Sequence, residues 1–174
     1  MFDEICKDDL TMAFFPCVRF EDQVLTLFRG DNYGLKDWNN ERKLEYDLKL
    51  GKELIELYSL ITKMAIVCIR KGIRMIIENP YSTQSFLTTH WCLRPAIIDR
   101  NRTNRGDYYE KPTQYWFIGC EPKNNLVFEA LDWCEKRNIE YATARDGKSA
   151  KVMRSMIHPQ YANRFIREFI LDGE

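Results

Sequence analysis

The residues best placed to do chemistry follow a short apolar run, Ile73–Ile77, within the stretch Ile-Arg-Met-Ile-Ile-Glu-Asn-Pro-Tyr-Ser. A β-branched run after Gly72 predicts a buried strand. The predicted strand is followed by a carboxylate, Glu78, and an amide, Asn79. Ligands of open α/β sheets bind at the carboxyl ends of the strands, so this position makes both side chains candidate site residues.

A cysteine stands in the equivalent position after an earlier predicted strand. Residues 10–15 form an apolar run that Pro16 ends, and Cys17 follows at once. Two parallel strands would bring Cys17 and Glu78 to the same edge of a sheet, where a thiolate could act as a nucleophile. A lone cysteine is more often a small buried apolar residue, and Glu78 could equally cap a loop or form a salt bridge.

One long helix is predicted between the two strands. Apolar residues recur at three- and four-residue steps from Glu41 to Arg70, and Gly72 is a natural C-terminal stop. Residues 18–40 form a long loop that contains one short helical turn. This order predicts a right-handed parallel crossover. The apolar positions are Leu44, Leu48, Leu54, Ile55, Tyr58, Ile61, Ala65, Cys68 and Ile69.

The second half of the chain alternates strands and helices. The pattern predicts a short strand at residues 95–98, a strand at 113–119, a helix at 124–137 and an amphipathic helix at 159–171. These elements favour a single α/β domain over residues 1–174, with a mostly parallel sheet.

Two basic groups lie in this half, with Tyr and Trp residues between them. Such groups with interleaved aromatic residues are typical of surfaces that contact nucleic-acid phosphates, although a cluster like Arg100–Arg105 is normally a solvated loop. The candidate nucleic-acid-binding residues are Arg94, Arg100, Arg102, Arg105 and Lys111 in the first group, and Arg145, Lys148, Lys151 and Arg154 in the second.

The composition limits the classes of function. The 174 residues carry 26 basic and 26 acidic side chains, so nucleic-acid binding would depend on a local patch rather than on net charge. Six cysteines without a C-x-x-C pair favour reduced thiols over disulfides or a metal site. Since no apolar run reaches membrane-spanning length, we expect a cytoplasmic protein with no membrane contact.

The order of four motifs resembles the phage-type branch of the DNA cytosine-5 methyltransferases. This resemblance implies a Rossmann-like three-layer sandwich in which Cys17 attacks C6 of a flipped-out cytosine, Glu78 contacts N3, and Asn79 braces the loop. The motifs are Pro16-Cys17, Glu78-Asn79-Pro80, Lys111-Pro112-Thr113-Gln114-Tyr115-Trp116, and Arg154-Ser155-Met156-Ile157 before Tyr161-Ala162.

The resemblance also implies what the chain lacks. The family holds S-adenosylmethionine in a glycine-rich segment ahead of the first motif, and only seven residues precede residue 8 here. We therefore expect a truncated methyltransferase-like domain that binds no cofactor on its own. It would be a catalytically inert protein of phage or mobile-element origin that associates with double-stranded DNA, for example as an inhibitor of a CRISPR-type host nuclease.

In an alternative interpretation the chain takes part in catalysis. The chain would then be one half of a split DNA cytosine-5 methyltransferase, and a partner chain would supply the S-adenosylmethionine site. In either case the exposed edge of a shortened sheet is the predicted surface for a homo-oligomer or a protein partner.

Overall fold

A computed structural model describes residues 4–6, 8–21, 24–30, 32–131, 152 and 155–172. In these ranges the chain is an α/β protein with a four-stranded mixed sheet of order β1-β2-β4-β3. Short 3-10 turns at Cys17–Arg19, Tyr33–Leu35 and Arg102–Arg105 lie between the larger elements. Those elements are β1 (Leu10–Phe14), α1 (Val24–Phe28), α2 (Asn40–Lys71), β2 (Arg74–Pro80), α3 (Phe86–His90), β3 (Ile97–Asp99), β4 (Thr113–Ile118) and α4 (Pro159–Phe169).

The predicted order of strand, long helix and parallel strand, from β1 through α2 to β2, is confirmed. β1 and β2 pair in parallel, with Leu10 opposite Arg74 and Phe14 opposite Glu78. The strands predicted at 95–98 and 113–119 and the helix predicted at 159–171 are also present as β3, β4 and α4. No described helix is both long enough and apolar enough to cross a membrane.

The C-terminal stop of α2 is Gly72, as predicted, and its N-terminus has a side-chain cap that the sequence analysis did not name. The Asn39 side chain accepts a hydrogen bond from the backbone N–H of Arg42 at 2.9 Å, which caps the helix N-terminus. At the other end Gly72 has a φ of 67°, in the left-handed region that favours glycine. The backbone N–H of Ile73 then donates to the carbonyl of Cys68 at 2.9 Å, so β2 begins directly after the helix stop.

The apolar positions of α2 do not all face the core, contrary to the simplest interpretation of their spacing. Ile61, Ala65 and Cys68 are buried, but Leu44 and Leu48 are 66% and 76% exposed. Position around the helix explains the difference, because Leu50, two residues after the exposed Leu48, is fully buried, and Ile69 is 59% exposed although it follows the buried Cys68.

The chain divides into two compact units. The first contains Met1–Ile97 and Gln114–Cys120, and the second contains Ile98–Thr113 and Glu121–Glu174. A single cluster of buried side chains forms the core of the first unit: Phe20, Ile61, Ala65, Cys68, Ile73, Met75, Ile77, Leu87, Trp91, Trp116 and Ile118. In the second unit the apolar face of α4 is buried through Tyr161, Phe165 and Phe169.

The helix predicted at 124–137 is wrong where the structure describes it. Residues 121–131 have no helical structure, and residues 132–137 lie outside the described residues. The backbone N–H groups of Lys123 and Asn125 instead donate to the carbonyls of Phe169 and Glu168, at 3.0 and 2.7 Å. Because these contacts satisfy carbonyls in the last turn of α4, they compete with helix formation in the 121–131 segment.

Candidate functional site

Cys17 lies just beyond the carboxyl end of β1, as predicted. It begins a 3-10 turn, and its carbonyl accepts hydrogen bonds from the backbone N–H groups of Phe20 and Glu21 at 2.8 and 3.0 Å. These bonds fix the backbone of the loop that carries the thiol. The thiol forms no disulfide, and Cys17 as a residue is partly exposed.

Glu78 and Asn79 lie within β2 rather than after it, because the strand continues to Pro80. Successive side chains of a strand point to opposite faces of the sheet. Asn79 therefore shares a face with Ile77, a core residue, whereas Glu78 lies on the other face. Glu78 is 7% exposed and Asn79 is fully buried. Parallel pairing thus brings the ends of β1 and β2, and with them Cys17 and Glu78, to one edge of the sheet.

The side-chain amide of Asn79 is unusual because neither its oxygen nor its nitrogen has a hydrogen-bond partner among the described residues. Leaving a buried polar group unpaired costs about 1–3 kcal/mol. Native proteins keep few such groups, and they are concentrated at functional sites. The sequence identified the position of Asn79, but the missing partners are visible only in the structure.

Gln114 is a site residue that sequence reasoning did not select. Its side chain is fully buried in β4, and its amide nitrogen donates to the Pro80 carbonyl at 2.9 Å. The same amide contacts the hydroxyl of Thr88 at 3.0 Å, and that hydroxyl lies 2.6 Å from the hydroxyl of Ser85. This network fixes the chain that leaves β2. The available signal was the polar pair Thr113-Gln114 at the start of an otherwise aromatic strand.

A cavity of about 220 Å³ lies among the segments that follow β1 and β2. Its wall includes the ring of Phe86, on which the His90 ring stacks with centroids 4.5 Å apart. Arg19, also in the wall, pairs with Glu53 at 2.5 Å. The volume is below the 300–1,000 Å³ typical of sites for drug-sized ligands, so a single ring would fill much of it. The lining residues are Arg19, Glu21, Phe28, Leu54, Gln84, Phe86 and His90.

Of the first predicted basic group, two arginines are exposed, and Lys111 and Arg105 are partly exposed. Arg94 is exposed and donates to the Thr88 carbonyl at 3.1 Å. Arg100 is exposed and Lys111 is partly exposed. The predicted residues Arg145, Lys148, Lys151 and Arg154 all lie outside the described residues.

Arg102 and Arg105 form ion pairs with acidic side chains of the second unit. Arg102 is 1% exposed, forms an ion pair with Asp107, and lies over the ring of Tyr161 at 4.5 Å from its centroid. Arg105 pairs with Asp99 at 2.9 Å and with Glu168 at 2.7 Å. Arg102 is too deeply buried to contact a phosphate, so the predicted role of Arg102 in nucleic-acid contact is corrected to a structural role.

The pKa of Glu168 is consistent with this network. Burial alone would raise the pKa of its carboxyl group, but hydrogen bonds and positive charges from Arg105 and Arg164 outweigh burial and hold the pKa below its usual value. Arg164 donates to the second oxygen of Glu168 at 2.7 Å. Both oxygens of this carboxylate are therefore occupied within the second unit.

Within the described residues, no group of three or more His, Cys, Asp and Glu side chains is arranged to hold a metal ion. Comparisons of the chain with protein-family models, with curated proteins and with solved structures found no match. The chemistry of the β1–β2 edge and the accessible basic residues are therefore the basis for a functional proposal.

Proposed function

We propose that this chain is a methyltransferase-like protein that associates with double-stranded DNA and receives a cytosine base at the β1–β2 edge. The observation that carries the proposal is the parallel register of β1 and β2, with Phe14 opposite Glu78, which brings the loop of Cys17 to the edge where Glu78 and Asn79 lie. The thiol of Cys17 and the carboxyl group of Glu78 have the hydrogen-bonding capacity to meet the polar edge of a pyrimidine, and the amide of Asn79 lies at the same edge on the other face of β2.

Contact with DNA would come from exposed cations, because the chain has no net positive charge. Arg94 and Arg100 are the exposed arginines of the first basic group. Removing a cation that neutralises one phosphate reduces the slope of log affinity against log salt concentration by about one. In this proposal methylation needs S-adenosylmethionine supplied with a partner chain, and the protein alone acts as a binding module.

The first experiment measures binding of the full chain to a fluorescent duplex by anisotropy over a series of salt concentrations. We expect affinity to fall steeply with salt, and Arg94→Ala and Arg100→Ala each to reduce both the affinity and the slope. Lys36→Ala is the matched control, because Lys36 is exposed and belongs to neither basic group. Absence of binding at low salt, or equal effects of all three substitutions, would refute DNA association.

Cys17, a partly exposed residue whose thiol forms no disulfide, favours a second candidate, one half of a split cytosine-5 methyltransferase. If the thiolate adds to C6 of cytosine, an S–C6 bond forms and C5 becomes nucleophilic. C5 then takes a proton from solvent, and reversal of the addition expels the original C5 hydrogen and the thiolate.

Release of tritium into water from duplex DNA labelled at cytosine C5 therefore separates the two candidates without a methyl donor. Release by the native chain that Cys17→Ser abolishes would support the split enzyme. Binding without release would support the inert module. The Cys17→Ser variant must bind DNA as the native chain does, which distinguishes lost chemistry from lost association.

A further inference from the structure

The cavity of about 220 Å³ among the segments that follow β1 and β2 is not used by the proposed association with DNA. All seven described residues that line it belong to the first unit. A cavity of about 150 Å³ lined by apolar side chains is large enough to bind benzene. The volume here therefore admits one aromatic ring with a small substituent.

The surface of the cavity is mostly apolar. Phe28 of α1, Leu54 of α2 and Phe86 of α3 line it, and each of them is partly buried. Neighbouring rings hold the ring of Phe86 in place, with the Phe20 centroid 6.4 Å away and the Tyr58 centroid 5.6 Å away. A ring fixed in this way loses little conformational entropy when a flat apolar ligand packs against it.

The acidic and basic residues in the described lining are Glu21 and Arg19. Arg19 already has a counterion, because its Nε and Nη2 atoms lie 2.7 and 2.5 Å from one carboxylate oxygen of Glu53. Lys49 lies 3.9 Å from the other oxygen of Glu53, but its side chain is 67% exposed, so water screens its charge.

The carboxylate of Glu21, in contrast, has no hydrogen bond and no ion pair with any of the described residues. Glu21 is partly exposed, and Gln84 and His90, which complete the lining, are exposed. A polar substituent can therefore stay near water while the ring that carries it is buried. The charge in the cavity wall that lacks a counterion is negative.

We propose that this cavity binds a small aromatic cation, with the ring against the apolar wall and the cationic nitrogen beside Glu21. A carboxylate only accepts hydrogen bonds, and a planar amidinium or guanidinium group can donate two parallel ones to it. An anionic ring would meet the charge of Glu21, while Glu53 already occupies Arg19. The cavity thus selects cations over neutral and anionic rings of the same shape, whether or not the chain associates with DNA.

The test compares benzamidine, benzamide and benzoate, which have nearly the same shape and carry a positive charge, no charge and a negative charge. Each compound is titrated into the isotope-labelled full chain, and NMR gives both the dissociation constant and the residues whose signals move. We expect benzamidine to bind with a dissociation constant of about 1 mM or below. Benzamide should bind about tenfold more weakly, since it lacks the hydrogen-bonded charge pair, and benzoate more weakly still. The signals of Glu21, Phe86 and His90 should move.

Two substitutions separate the contribution of the charge from that of the ring. Glu21→Gln keeps the shape of the side chain and removes its charge, so benzamidine should bind about tenfold more weakly while the affinity for benzamide changes little. Phe28→Ala removes part of the apolar wall and should weaken both compounds to the same degree. Glu45→Gln is the matched control, because Glu45 is an exposed glutamate of α2 that does not line the cavity. The NMR spectrum of each variant shows whether it remains folded.

Benzamidine that moves no signal of a lining residue, or that binds no better than benzamide, would overturn the proposal. So would equal affinity of benzamidine for the native chain and Glu21→Gln, or a loss in Glu45→Gln as large as that in Glu21→Gln. These titrations contain no DNA and leave Arg94 and Arg100 unchanged, so this proposal and the proposed association with DNA can fail independently.

Discussion

Substituting Asp107 tests whether Arg102 is a structural residue or a nucleic-acid contact. Arg102 and Asp107 are 1% and 0% exposed and form an ion pair within the second unit. Asp107→Asn keeps the shape of the side chain and retains an oxygen to accept the 2.6 Å hydrogen bond from the Tyr108 N–H. It removes the charge, however, and leaves the Arg102 cation buried without its counterion.

We expect the free energy of unfolding to fall by about 3–5 kcal/mol, the usual cost of removing one partner from a buried ion pair. Domains of this size are stable by about 5–15 kcal/mol, so the loss is a large fraction of the total. With a urea slope of about 2 kcal/mol per molar, the unfolding midpoint should fall by roughly 1.5–2.5 M. Circular dichroism in urea measures it, with Asp37→Asn, at an exposed aspartate, as the control.

A midpoint shift no larger than that of Asp37→Asn would refute the assigned role of the pair. The double substitution Arg102→Met with Asp107→Leu provides a further check. Replacing both partners of a buried pair with apolar residues is often close to neutral, so the double variant should recover most of the stability that Asp107→Asn loses.

Two further predictions concern stability. Because Arg105 and its neighbours hold the pKa of Glu168 below its usual value, this carboxylate stabilises the folded state above about pH 4.5, and that contribution is lost as pH falls through the lowered pKa. Thermal unfolding from pH 6 to 3 should therefore show a shallower acid loss in Glu168→Gln than in the native chain, and identical profiles would contradict the assignment. Gly119→Ala should lower the free energy of unfolding by about 1–3 kcal/mol in urea, because Gly119 has a φ of 70° and a Cβ would lie 2.8 Å from the Ile73 carbonyl oxygen. An unchanged midpoint would contradict that reasoning.

The parts of the fold that the sequence predicted are those with local signals. Gly72 ends α2, and the β-branched run that follows admits few alternatives to a strand. The parallel orientation of β1 and β2, and with it the shared edge of Cys17 and Glu78, then follows from the crossover connection, whereas their register is known only from the structure.

What the sequence did not reveal depends on contacts between distant residues. Arg102 stands in a cluster of arginines and asparagines, which usually marks a solvated loop, and its burial depends on Asp107 and on Tyr161 far along the chain. The 121–131 segment has apolar spacing suited to a helix, yet its N–H groups bond to the end of α4. The apolar spacing of α2 predicted the helix but not which of its apolar residues face the core.

The hydrogen bond from Gln114 to Pro80 determines when the loop after β2 can become fixed during synthesis of the chain. The chain beyond β2 is fixed by a residue 34 positions later, in β4, the last strand of the sheet. During synthesis, β1, α2 and β2 can pair as soon as they leave the ribosome, since a chain folds from its N-terminus as it emerges. The loop after β2 stays unfixed until β4 has followed. The nascent chain therefore carries the Cys17 loop well before the loop after β2 is fixed.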